Sequence, residues 1–225
     1  MTTADEIIAK LKSLANPDNV AGMARYGINS DGTLGVSIPT LRTIAKAHHR
    51  NHDLALHLWA SGIHEARILA AYVDDPKQVE ERQMEAWVAD FDSWDVCDQV
   101  CGNLFDRTPF AYDKAIEWAR RDEQFVKRAG FALMAWLPVH DKKAPDGKFL
   151  AFLPVTEEEA GDERSLVKKA VNWALRNIGK RNRALNAAAI AAAERIQQQN
   201  SKSARWIAAD ALRELQGEKV QQRLK

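Results

Sequence analysis

Apolar residues recur at three- and four-residue intervals along almost the whole chain, while sustained alternation of apolar and polar positions is scarce. That period predicts helices over 4–15, 18–26, 39–49, 51–60, 64–74, 76–90, 93–106, 109–121, 123–138, 147–159, 163–179, 182–199 and 202–216. The one strand-like fragment, LGVSIP at 34–39, is short and flanked by glycine, so it reads as loop. It belongs to GINSDGTLGVSI at 27–38, the single long connection. Prolines mark the expected boundaries. Pro39, Pro76 and Pro109 stand where a helix would open, the last two behind the capping residues Asp75 and Thr108. Pro17, Pro145 and Pro154 fall at breaks, and Pro138 reads as the end of an apolar helix.

Four of the helical segments resemble one another: EARILAAYVDD, VKRAGFALMAWL, VKKAVNWALRNI and SARWIAADALREL. Each starts near a basic residue and then sets small and bulky apolar residues at helical spacing. Arg128, Lys169 and Arg205 lie 41 and 36 residues apart. A helix pair recurring about every 40 residues predicts an all-α, HEAT-like α-solenoid, because one pair cannot bury its apolar face alone and a stack can. The second helix of each pair would then line a concave groove, and the whole of 1–225 would form one domain. An irregular helical bundle is the competing architecture.

Composition narrows the class without deciding the function. The chain has 225 residues, 46% hydrophobic and 28% charged, the balance of a folded soluble protein. Its two cysteines, Cys97 and Cys101, sit four apart on a predicted helix and read as buried small apolar groups, not a disulfide framework. The opening residues resemble no signal or transit peptide, and uncharged runs such as 129–140 and 184–193 are too short for a membrane span. The expectation is a cytoplasmic, membrane-free monomer with no obligate protein partner. No nucleotide-binding or zinc-protease motif is present, and His48, His49, His52 and His57 lack ligands at a recognised metal spacing, so no metal or cofactor is expected.

Charge changes the picture locally. The net charge is +1, yet RSLVKKAVNWALRNIGKRNR at 164–183 holds Arg164, Lys168, Lys169, Arg176, Lys180, Arg181 and Arg183 with no acid. Such a run fits a polyanion, although a merely solvated face is the bland alternative. A second constellation lies in DSWDVCDQVCGNLFD at 92–106. On a helix Trp94 and Asp98 share one face, while Cys97, Val100, Cys101 and Leu104 form the apolar stripe. An indole beside a carboxylate suits a cation. Arg128 and Trp173 lie on later repeats, where stacking would bring them to the same wall. Packing between repeats is the expected role of Trp59, Trp87, Trp118, Trp136 and Trp206.

SWDVCDQV, KRAGFALMAW and VKKAVNWALRNIGKRN, in this order, together with MARYGINSDGTLGVSIPTLR near the start, resemble the signature segments of the AlkD-type DNA alkylation repair proteins. The resemblance runs from about residue 20 to 215. It implies a HEAT-like DNA glycosylase that releases cationic alkylated purines, such as 3-methyladenine and 7-methylguanine, from duplex DNA without a cofactor. Members of that family are described as leaving the damaged base in the stack. By motif, Asp98 is the catalytic carboxylate, and Trp94 and Trp173 contact the sugar and backbone of the damaged nucleotide. Arg128 faces a phosphate. Tyr26, Lys168, Lys169, Arg176, Lys180, Arg181 and Arg183 contact DNA. One departure is Ser93, where the family often carries a second aromatic residue. Two other readings stay open: a non-catalytic DNA-binding solenoid that recognises damaged or branched DNA, and a protein-interaction scaffold.

Overall fold

The computed structural model describes residues 3–224, and among these every regular element is helical. The helices group into two compact units, one running to Thr108 and the other beginning at Pro109. The N-terminal unit contains α1 (Ala4–Ser13), α2 (Pro17–Ala24), α3 (Ile38–Ala45), α4 (His52–Ala60), α5 (His64–Val73), α6 (Glu81–Ala89) and α7 (Trp94–Asn103), followed by a 3-10 turn at Phe105–Arg107. The C-terminal unit contains α8 (Ala111–Ala119), α9 (Gln124–His140), α10 (Asp146–Leu150), α11 (Phe152–Glu158), α12 (Ser165–Gly179), α13 (Arg183–Gln197), α14 (Lys202–Leu215) and α15 (Glu218–Gln221).

Side-chain caps set several starts. Asn16 accepts from the Asn19 amide, Ser37 from Thr40, Asn182 from Leu185 and Ser201 from Ala204, each satisfying a first-turn N–H. Pro17 and Pro39 occupy first-turn positions, where the missing N–H costs nothing. Two expected proline starts are not helix starts. The Asp75 side chain accepts from the Lys77 amide and its carbonyl from Gln78, closing a turn through Pro76 that delays α6 to Glu81. Thr108 turns its hydroxyl back to the Phe105 carbonyl at 2.8 Å, and α8 starts only at Ala111. The segment 147–159 is two helices meeting at Ala151. Pro138 lies inside α9, which continues to His140; the nearby carbonyls of Ala135 and Pro138 accept from Asn177 and Arg181.

The helices pair as the repeat pattern requires. Within the N-terminal unit α4 packs on α5, and α5 on α7; within the C-terminal unit α8 packs on α9, α9 on α12, and α12 on α13 and α14. The closest approach is α8 with α9. A Cβ on Gly130 would lie 2.3 Å from the Ala119 nitrogen, so only glycine lets these backbones meet. The repeat also shows as a ladder of side-chain bonds at constant separation. Asn172 reaches Asp210, and Arg195 reaches Glu157, each across 38 residues; in the N-terminal unit Trp59 reaches Asp90 and His64 reaches Asp95, each across 31.

The core is aliphatic and aromatic. Trp59 and Trp87 stack at 4.0 Å with rings 3° from parallel, and Trp118 is fully buried, as packing tryptophans should be. Trp206 departs from that expectation: it is exposed, with the Lys168 ammonium 5.1 Å over its ring. Cys97 and Cys101 are free thiols with no exposed surface. Among the described residues no helix is long and apolar enough to cross a membrane.

Candidate nucleic-acid interface

Helix α7 is built as its sequence predicts. Val96, Cys97, Val100, Cys101 and Leu104 are buried without remainder, which leaves Trp94 and Asp98 half-buried on the opposite side. The carboxylate of Asp98 is therefore not sealed in the core. The Trp94 indole N–H donates to the Tyr26 carbonyl at 3.1 Å, fixing the ring plane. Tyr26 itself lies in the turn after α2 with its side chain 79% exposed.

What holds this arrangement is a polar network that sequence reasoning missed. The Glu65 carboxylate, 1% exposed in the first turn of α5, accepts from the backbone N–H groups of Leu34, Gly35 and Val36 at 2.8, 2.6 and 3.2 Å. A buried charge is tolerated because charge-assisted bonds replace its hydration. Gly35 must be glycine here, with φ +79° and the Asn16 carbonyl 2.3 Å from where a Cβ would stand. The loop 27–37 is thus clamped to α5. Next to it, His64 Nε2 lies 2.8 Å from Asp95, and Asp95 also accepts from the Ser93 hydroxyl at 2.6 Å. Burial alone would lower the His64 pKa. The hydrogen bond and charge of Asp95, helped by Glu65 and Asp92, outweigh burial and raise it. Burial opposes ionisation of Asp95 too, but His64 and Ser93 win and lower its pKa. Ser93, fully buried, also accepts from the Asn29 amide at 3.4 Å. It therefore ties the loop to the start of α7 where relatives often carry an aromatic ring. The available signal was the His-Glu pair at the start of the otherwise small-residue helix HEARILAAYV, but its partners lie about 30 residues away and leave no local pattern.

In the C-terminal unit Arg128 is buried, and Nη1 donates to the Leu166 carbonyl at 2.6 Å, which joins α9 to the first turn of α12. Trp173 is half-buried and stands edge-on to Trp136, with ring centroids 5.3 Å apart at 83°. The cations of 164–183 do not form one uniform face. Arg176 pairs with Glu214 and lies 3.7 Å from Asp210, and Lys180 bonds Glu214 at 2.8 Å. Arg181 is a structural residue, donating to the carbonyls of Pro138 and Ala144 with its guanidinium 4.4 Å over Phe149. Arg164 is held by Asp162. Acids absent from the run itself arrive from α14 and from the loop before α12. Lys169 and Arg183 are exposed and Lys168 half-buried, and none of the three forms an ion pair among the described residues. No group of His, Cys, Asp and Glu among the described residues could hold a metal ion.

A family model described as DNA alkylation repair enzyme matches residues 7–215. The chain belongs to that family. A solved structure from a family described as related to the HEAT-like repeat DNA glycosylases, with affinity for branched DNA structures, superposes with a TM-score of 0.78 over 95% of each chain at 19% identity. At that identity the likeness establishes the HEAT-like fold, in agreement with the repeat spacing. No curated protein matches.

Proposed function

We propose that this DNA alkylation repair family member is a monofunctional glycosylase that excises cationic alkylated purines, 3-methyladenine and 7-methylguanine among them, from duplex DNA. The observation that carries the reading is the pairing of Trp94 with Asp98 on the one side of α7 that the core leaves open. An N-alkylated purine already bears positive charge and leaves readily. As its glycosidic bond breaks, charge moves to the deoxyribose, and a carboxylate beside it favours the oxocarbenium-like state and positions water. At ~4 Å and an effective dielectric of ~20 the attraction is about 4 kcal/mol. That is at most roughly a thousandfold in rate, since the ground state is cationic too. Trp94 and Trp173 would contact the nucleotide's sugar and backbone. Arg128 would face a phosphate with its guanidinium anchored on Leu166. Lys168, Lys169 and Arg183 would supply sequence-independent phosphate contacts, with 1–225 acting as one domain.

A second reading is favoured by the structural neighbour, whose family is described as having affinity for branched DNA structures. On that reading the chain binds damaged or branched DNA without cleaving a bond. Duplex DNA carrying 7-methylguanine separates the two. Release of free base, measured chromatographically, supports the glycosylase. Salt-sensitive binding without release from any methylated substrate supports the binder.

A further inference from the structure

The N-terminal unit holds a hollow of about 560 Å³ between α2, the clamped loop, α5 and α7, which no step of the proposed reaction uses. That volume lies in the range of small-molecule sites. Its walls are mostly apolar: Met23, Ile28, Ile38 and Ile68, closed on one side by Trp94. The indole is held in place through Tyr26, so it offers a fixed flat face.

Two hydrogen-bond donors reach the hollow. His64 is 3% exposed and lines it; Nε2 is engaged by Asp95, and Nδ1 has no protein partner among the described residues. With Asp95 favouring the imidazolium, Nδ1 carries a proton and asks for an acceptor. Gln99 also lines the hollow. Its amide oxygen accepts from Tyr72 at 2.6 Å and Asn103 at 3.2 Å, leaving the NH₂ group to donate. Asp18, Glu65 and Asp95 are the other charged groups of the lining, so a phosphate would meet three carboxylates and is disfavoured. A flat ring with acceptor atoms on its edge and no charge of its own matches apolar walls, an indole face and two donors.

We propose that this hollow is a nucleobase site, taking a purine ring against Trp94 with an edge acceptor on His64. The site rests on the reading that the chain acts on DNA, but not on any chemistry at Asp98. It would take a base that has left the stack, either free in solution or unpaired in a strand.

Isoleucine-methyl and histidine-ring NMR on the full chain test this. Free adenine is one probe. A duplex with a single bulged adenine is the second, compared with the same duplex fully paired. The expected result is saturable shifts confined to Ile28, Ile38 and Ile68, with the His64 ring resonances moving in step. Shifts from free adenine alone identify a site for the released base, and shifts from the bulge beyond those of the paired duplex identify a site for the unstacked one. Gly22 lines the hollow, and a Cβ there would meet nothing within 4 Å, so Gly22→Leu should fill the space without disturbing α2. It should weaken binding by about tenfold or more. No shift from either probe, shifts spread over isoleucines elsewhere, or unchanged affinity in Gly22→Leu would overturn the proposal. Base release from methylated DNA, measured on the same variant, reports on the glycosylase reading separately.

Discussion

At the scale of single residues, the side chains that would touch DNA depend on ones that do not. Glu65 and the His64–Asp95–Ser93 chain fix the loop and the first turn of α7, and through them Trp94. This makes stability pH-dependent in a definite direction. The raised His64 pKa contributes stability below the ordinary imidazole value that fades as pH rises through the folded pKa. The lowered Asp95 pKa contributes stability above the ordinary carboxylate value that fades as pH falls through its folded pKa. Both are present together between about pH 4 and 6.5. Urea unfolding across pH should show the N-terminal unit of the native chain gaining on this window, and Asp95→Asn should flatten that part of the profile. Glu65→Gln should cost more, about 2–4 kcal/mol, by weakening the bonds to three buried or half-buried amides. Of these residues only the Trp94 and Asp98 pair was legible in the sequence. A single helix turn displays that pair, whereas Glu65, His64 and Ser93 acquire meaning only from backbone groups brought to them by folding.

At the scale of elements, the apolar period placed nearly every helix, because burial of one face decides a helix more than its ends do. The ends went astray where a local bond competed. Asp75 closes a turn through Pro76, and Thr108 bonds back to Phe105, although both residues look like caps. The α8–α9 packing was not legible either, since a glycine among alanines and apolar residues reads as ordinary helix until a neighbouring backbone lies against it. Gly130→Ala tests that close approach. Although alanine is the better helix former, the methyl would drive against Ala119. The thermal midpoint should fall, by the equivalent of about 1–3 kcal/mol, instead of rising.

At the scale of the whole molecule, a nearly neutral chain engages a polyanion only through charge left unpaired on its surface. The basic run at 164–183 pointed to DNA for a sound reason but overcounted. Linear sequence cannot show that Glu214 and Asp210 arrive from α14 to meet Arg176 and Lys180. Replacing Lys168, Lys169 and Arg183 together by glutamine should weaken duplex binding and flatten its salt dependence, by about 0.9 log unit for each phosphate that is no longer neutralised. Arg176→Gln should leave that slope nearly unchanged and show its effect on stability. Family and fold agree with the repeat spacing, and the two functional readings differ only in whether a bond is broken.

The carboxylate of Asp98 decides between them. Single-turnover release of 7-methylguanine from duplex DNA, with duplex affinity measured alongside, should fall by up to about a thousandfold in Asp98→Asn while affinity stays near that of the parent protein. Release at the parent rate in Asp98→Asn, or no release from the parent protein itself, would contradict the account.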